Sequence, residues 1–192
     1  MELKDLKIGF GVTGSFCTIG QILPQMELLC KHAKSVIPIF SPVVYNTDTR
    51  FTNAKELSEQ VESITGNKII KTIPEAEPIG PKKIIDALVI APCTGNTASK
   101  IANGITDTSV TMAAKASLRN KIPVVIAIST NDGLSGSAKN IGALLNTKGI
   151  YFVPFGQDDF IKKETSLVSD MSLIKDTLEL ALSGKQIQPL LV

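Results

Sequence analysis

The 192-residue sequence predicts a doubly wound α/β domain: a parallel sheet with a layer of helices on each face. Three observations carry this. Short apolar runs that suit strands covered on both faces recur along the chain, at 6–12, 36–40, 88–90, 123–128 and 151–153. Between them lie segments whose apolar residues return every three or four positions, the period of an amphipathic helix. The turns that leave the strands are rich in Gly, Ser, Thr and Asn, as at Thr13-Gly14-Ser15 and 93–97. Alternation of strand and helix implies right-handed crossovers within one sheet. The length fits one domain, 1–192, able to bury a core without disulfide or metal staples.

Residues 6–12 make the first strand, and Thr13-Gly14-Ser15 turns it towards a helix. That helix buries Ile19, Ile22, Leu23, Met26, Leu29, Cys30 and Ala33 and turns Gln21, Gln25, Glu27 and Lys31 outwards. Strand 36–40 ends at Ser41-Pro42, and polar turn chemistry with two aromatics, Tyr45 and Phe51, runs through Thr52. Asn53 with Glu56 three residues on reads as a capping box with Asn at the cap. The helix it opens buries Leu57, Val61 and Ile64, and Gly66-Asn67 closes it. Ile69-Ile70 reads as a short third strand, and the Pro-rich stretch 74–81 as a surface or partner-facing connector.

The stretch 86–97 follows, with Leu88, Val89 and Ile90 as a buried strand. Pro92, which lacks the amide donor a ladder needs, is expected to stop it. A polar loop, 93–97, then leads into a helix from Ala98 to Ala102. Residues 107–120 form a helix with Val110, Ala113, Ala114 and Leu118 in one stripe and Lys115 and Arg119 beside it. Strand 123–128, a second polar loop at 129–137, and a helix burying Ile141, Leu144 and Leu145 come next. Residues 151–153 read as the last strand. Leu167, Val168, Met171, Ile174, Leu178 and Leu182 mark a final helix that Gly184 ends.

Composition narrows the function. A formal net charge of +2, with both signs mixed along the chain, gives no basic block for nucleic acid. The three cysteines, Cys17, Cys30 and Cys93, are odd in number and far apart, which fits a reducing, cytosolic setting better than a disulfide framework. No apolar run approaches the ~18 to 20 residues that span a bilayer, so no membrane partner is expected. With His32 the sole histidine and no Cys-x-x-Cys pair, the sequence offers no metal-ligand set.

In an open parallel sheet, ligands sit at the carboxyl edge of the strands, which directs attention to the strand-to-helix turns. Gly9-Phe-Gly11-Val-Thr-Gly14 matches the G-x-G-x-x-G spacing of dinucleotide sites. Gly9 and Gly11, however, fall inside the first strand, and Ser41 stands where a ribose-binding carboxylate is expected. A mononucleotide phosphate held by Thr13, Ser15, turn amides and the Ser41 hydroxyl is the alternative, beside a plain tight turn. Cys93 has no activating neighbour in sequence and reads as a half-buried packing thiol. His32, late on the first helix, is explained by the helix dipole. Arg50, Lys100, Lys115 and Arg119 are the cations nearest the proposed edge, and arginine is the residue suited to a carboxylate.

These pieces together resemble the homo-oligomeric FMN-containing cysteine decarboxylases, a flavoprotein family. The resemblance rests on Val12-Thr13-Gly14-Ser15, on Ser41, and on Pro92-Cys-Thr-Gly-Asn96-Thr97 followed by Lys100-Ile-Ala-Asn-Gly104-Ile-Thr-Asp107. The family's loop usually reads Pro-Ala-Ser-Ala-Asn-Thr; here Pro92, Asn96 and Thr97 hold, and Cys93, Thr94 and Gly95 are substituted. The resemblance implies a flavodoxin-like Rossmann sheet and an FMN pocket made by Thr13, Gly14, Ser15, Ser41, Cys93, Thr94, Asn96 and Thr97. It also implies a trimer-based homo-oligomer. Within the family the likeness runs end to end, through Pro78-Ile-Gly-Pro-Lys-Lys83 and Ser129-Thr-Asn-Asp-Gly133, to a member that oxidises a dihydropyridine dicarboxylate in the cytosol of sporulating bacteria. That likeness implies a second subunit, itself similar to nucleotide-binding dehydrogenases, on which NAD(P) could be carried. Arg50 or Arg119 would then hold a substrate carboxylate, with Asn96 and Asn131 orienting ring and flavin. Two departures argue against decarboxylation: no histidine lies in 75–83, and Ile128-Ser-Thr-Asn131 replaces the family's Pro-Ala-Met-Asn type of substrate clamp.

Overall fold

A computed structural model describes residues 2–192. Strands β1 (Lys7–Val12), β2 (Ser35–Phe40), β3 (Ala87–Cys93), β4 (Val124–Thr130) and β5 (Ile150–Phe152) form a parallel sheet in the order β2-β1-β3-β4-β5. This is the flavodoxin-like order, whose switch point lies between β1 and β3. Successive strand residues alternate between two apolar layers. Ile8, Phe10, Val12, Val89 and Val125 pack against α1 (Ile19–His32), α3 (Ala54–Thr65) and α8 (Ile174–Leu182). Leu88, Ile90, Ile126 and Ile128 pack against α5 (Gly95–Ala102), α6 (Ser109–Arg119) and α7 (Ala138–Leu145). All of β3 is buried, as its uninterrupted apolar run requires.

The glycines of β1 are there for packing. A Cβ on Gly9 would stand 2.8 Å from Ile85 Cδ1, and one on Gly11 3.2 Å from Val110 Cγ1, so larger residues would force the layers apart. The dinucleotide spacing of Gly9, Gly11 and Gly14 is thus a by-product of a tightly covered strand. Asn53 caps α3 as expected, accepting from the amides of Lys55 and Glu56, and Gly66 closes it at φ 65°.

Several expectations are corrected. Pro92 does not stop β3: the strand runs on to Cys93, and the missing donor is absorbed by a register shift between Ile90 and Cys93. The polar loop is shorter than expected, because α5 begins at Gly95, three residues before Ala98. Ile69-Ile70 contributes one bridge, Ile39 to Ile70, and no full strand. The Pro-rich connector lies at the surface only in part: Pro74, Glu75, Glu77 and Pro81 are exposed, but α4 (Ile73–Ala76), held by a Thr72–Glu75 capping box, and the turn after it bury Ala76 and Ile79 completely. Between Ser41 and Thr52 a short helix, α2 (Pro42–Asn46), starts on Pro42, whose fixed φ suits a first helical position.

The largest departure follows β5. Leu167 and Val168 belong to a strand, β7 (Leu167–Ser169), which pairs antiparallel with β6 (Phe155–Gln157) and with Ser129 and Thr130 of β4. β5 pairs with β4 only as far as Ile126, so the end of β4 would have one bare edge without β7. The final helix therefore begins at Ile174.

Candidate functional site

Four strand exits, those of β1, β2, β3 and β4, meet at the carboxyl edge of the sheet. Thr13 joins two of them: its hydroxyl donates to Pro92 O at 2.7 Å and accepts from the Thr94 amide at 3.0 Å. Ser41 follows β2, and its amide donates to Val12 O at 3.0 Å. Thr94 caps α5 by accepting from the Thr97 amide at 3.2 Å, and its hydroxyl donates to that of Thr97 at 3.0 Å. Thr108 caps α6 in a reciprocal pair with Thr111.

The exits of β1, β2 and β3, with the start of α6, border a cleft of about 370 Å³ lined by Gly14, Ser41, Val43, Thr94, Asn96, Thr97, Lys100 and Thr108, with Pro42 at its side. The capped ends of α5 and α6 both open onto it. Their first-turn amides, which have no partners within the helix, and the positive ends of their dipoles favour an anion there. Lys100 adds a cation, 23% exposed, held to Asp107 by two hydrogen bonds of 2.8 and 2.9 Å. The Ser41 hydroxyl is the decisive atom. It is buried, Ser41 being 5% exposed, and it has no hydrogen-bond partner. A buried hydroxyl without a partner costs free energy, and an acceptor on a bound group would recover it.

Of the residues that the sequence nominated for a cofactor, Gly14, Ser41, Thr94, Asn96 and Thr97 line this cleft. Three do not. The Thr13 hydroxyl is consumed in tying β1 to β3, so Thr13 shapes the site without facing it. Ser15 turns the other way, its hydroxyl 2.8 Å from that of Ser129. Cys93 is wholly buried, not half-buried, in the α5/α6 layer, and burial pushes its thiol up to about 12, so it offers neither a nucleophile nor a cofactor contact. His32 is exposed, with Nδ1 2.8 Å from Leu28 O on its own helix, and has no part in the site.

The nominated cations are scattered. Arg50 lies in the exposed loop between α2 and α3, its guanidinium 4.7 Å from the Phe51 ring centre. Arg119 ends the 11-residue α6, whose start is at the cleft, and is therefore ~15 Å away within one chain. Lys115, on the same helix, lines a separate surface hollow with Arg119. Asn131 sits on the exposed loop after β4, where its carbonyl accepts from Thr165, and it does not line the cleft.

That loop explains one substitution in the family motif. Asp132 accepts from Thr130 Oγ1 at 2.6 Å and Ser137 Oγ at 2.9 Å, and the Thr130 bond is the main reason its carboxyl is held below its ordinary value. A Cβ at position 95 would meet Thr130 Oγ1 at 2.6 Å and Asp132 Oδ1 at 2.7 Å. Only glycine fits beneath this triad, where the family's loop usually has alanine. Sequence reasoning missed Val43 and Thr108 as lining residues. The Thr108–Thr111 spacing of a helix cap was the available signal.

The fit to a flavin nucleotide is good at its phosphate end: an unpartnered buried hydroxyl, two capped helix starts and a lysine converge on one cleft. Among the described residues no group of three or more His, Cys, Asp and Glu side chains could hold a metal ion, and no helix is long and apolar enough to cross a membrane. Comparison with known proteins places the chain in a family. The B subunit of dipicolinate synthase from Bacillus subtilis (strain 168) is 48% identical over 191 residues, covering 100% of this chain and 96% of that protein. The crystal structure of the dipicolinate synthase B subunit from Bacillus halodurans C superimposes with a TM-score of 0.91 at 47% identity, covering 100% of this chain and 98% of that one. The FMN-dependent cysteine decarboxylase SpaF shares the fold, with a TM-score of 0.65 at 21% identity over 93% of this chain and 98% of its own. The profile of the family described as Flavoprotein matches residues 1–172, and the chain belongs to that family.

Proposed function

We propose that the chain acts as the B subunit of a dipicolinate synthase. In this reading it works with an A subunit to oxidise dihydrodipicolinate to dipicolinic acid in the mother-cell cytosol of a sporulating bacterium. Its carboxyl-edge cleft holds FMN or a related mononucleotide. Support comes from the full-length likeness to B subunits and, within the structure, from the unpartnered Ser41 hydroxyl beside two capped helix starts.

The reaction removes a hydride and a proton from a dihydropyridine, and the aromaticity of the product favours it. The protein's work is then to hold a dianion in place and accept a proton. Ser41, Thr94, Thr97 and the first amides of α5 would bind the phosphate, and Lys100 would offset its charge. Bound there, FMN would supply a two-electron acceptor; NAD(P) on the A subunit is the other source of one. Asn96, on the cleft wall, orients the ring system. Asn131, outside the cleft on the exposed loop after β4, would orient substrate from there. Arg50 is the carboxylate ligand within one chain. Arg119 serves only from a neighbouring copy in a trimer-based homo-oligomer, since its own cleft lies at the far end of α6.

A second reading is a non-catalytic subunit with a vestigial flavin site, retained to scaffold the A subunit. The pairing of Ser15 with Ser129 favours it, because that hydroxyl is withdrawn from the cleft. FMN-dependent decarboxylation is disfavoured by the lack of a histidine in 75–83. An FMN titration of the purified chain, with and without the A subunit, separates the first two. Saturable binding with a yellow chromophore supports the flavin site, and failure to bind in both conditions removes it. If Arg50→Ala, assayed with the A subunit, leaves kcat/KM for dihydrodipicolinate unchanged, the carboxylate assignment is wrong.

A further inference from the structure

Among the described residues two non-glycines have positive φ, Lys83 at 47° and Lys121 at 59°, and both border one cleft of about 670 Å³ at the amino-terminal edge of the sheet. Each lysine sits where a helical turn closes. The Ile84 amide donates to Ile79 O at 3.0 Å, and the Ile122 amide to Ser117 O at 2.9 Å. In such closures the left-handed position usually belongs to glycine, because a Cβ is strained there. Lys148, before β5, adds a third ammonium to the lining, and none of the three has a carboxylate within ion-pair distance among the described residues. Asp86, the one carboxylate of the lining, accepts from the Lys7 amide at 2.8 Å. The floor is apolar, with Leu118, Ile122 and Leu182.

We propose that this cleft binds a small organic anion with an apolar ring or chain. Lys83, Lys121 and Lys148 take its carboxylate, sulfonate or phosphate, and the apolar floor covers its body. The volume lies within the range of small-molecule sites, and a mostly apolar cleft with a few converging charges is their usual character. Lysine at two left-handed positions around one cleft fits side chains that serve the cleft rather than the turn. The plain alternative is that the lysines only answer the carbonyl ends of α6 and α8. That role requires neither a left-handed backbone nor a cavity. The site is independent of the flavin reading, because it lies on the opposite edge of the sheet.

Anilinonaphthalene sulfonate, an apolar aromatic anion that fluoresces when sheltered from water, is the probe. It is titrated into the full native chain, the K83G/K121G variant and the K83Q/K121Q variant. Saturable binding to the native chain is expected, weakened about fivefold or more in both variants. K83G/K121G should also melt ~2 to 4 °C higher, since glycine relieves the strain, whereas K83Q/K121Q should show no such gain. Unchanged affinity in K83Q/K121Q overturns the proposal, even if K83G/K121G fails to fold. Probe affinity that falls in Ser41→Ala also overturns it, because the probe would then occupy the carboxyl-edge cleft.

Discussion

Replacing Ser41 by alanine should move stability and cofactor affinity in opposite directions. The side chain makes no cap to α2, and the backbone bonds of Ser41, from its amide to Val12 O and from its carbonyl to the amides of Val44 and Tyr45, survive the substitution. What is lost is a buried hydroxyl with no partner. Such a group costs about 1 to 3 kcal/mol, so the ligand-free variant should gain on the order of 1 kcal/mol and melt ~2 to 4 °C higher. A hydrogen bond from that hydroxyl to a phosphate contributes about 1.5 to 3 kcal/mol, so FMN should bind roughly ten- to a hundredfold more weakly. Thermal unfolding of the ligand-free protein and flavin fluorescence titration measure the two effects on one preparation. A lower melting temperature, or an FMN affinity within about twofold of the parent, would refute the assignment of Ser41 to the phosphate.

Gly95→Ala drives a methyl into Thr130, Asp132 and Ser137 and should cost about 1 to 3 kcal/mol in a denaturant melt, with FMN affinity falling as the start of α5 shifts. Cys93 should resist maleimide in the native chain while exposed Cys17 reacts, the Cys93 thiol becoming available only on unfolding. Its thiol rises from 9.0 to about 12 on folding, so the stability it contributes is full below pH ~9 and is lost as pH climbs towards 12; Cys93→Ala should flatten that alkaline loss. Asp132 has the opposite sign: its carboxyl is lowered, so its contribution is present above its ordinary 3.8 and fades as pH falls below it, and Asp132→Asn should be less stable near neutrality but less acid-sensitive. If 1–192 is one domain, chemical denaturation followed by tyrosine fluorescence and by circular dichroism should give coincident transitions.

The elements easiest to read were those whose own residues carry the signal. The stripe of Ile19, Ile22, Met26 and Leu29, the Asn53 cap and the unbroken 88–90 run are local patterns, and each survives in the fold. The failures share a cause. Ile79 stands between Pro78 and Gly80, yet it is buried because the turn after α4, Glu77–Ile79, packs on α6. Leu167 and Val168 fit a helical spacing, yet the open end of β4 claims them as a strand. Pro92 would end an isolated strand, and here a register shift accommodates it within a sheet buried on both faces.

By itself the sequence determined the layered α/β fold, the edge that carries the candidate cleft, and most of the residues around it. Periodicity records which face of an element is apolar, and strand-to-helix turns record where the edge lies. Tertiary structure alone decided which hydroxyls beside the cleft are left without a partner. Thr13, Ser15 and Ser41 are equally small and polar in the chain, but Pro92 and Thr94 engage the first, Ser129 engages the second, and the third is left without a partner. Those partners lie 79 to 114 residues away, at a separation no local pattern can encode.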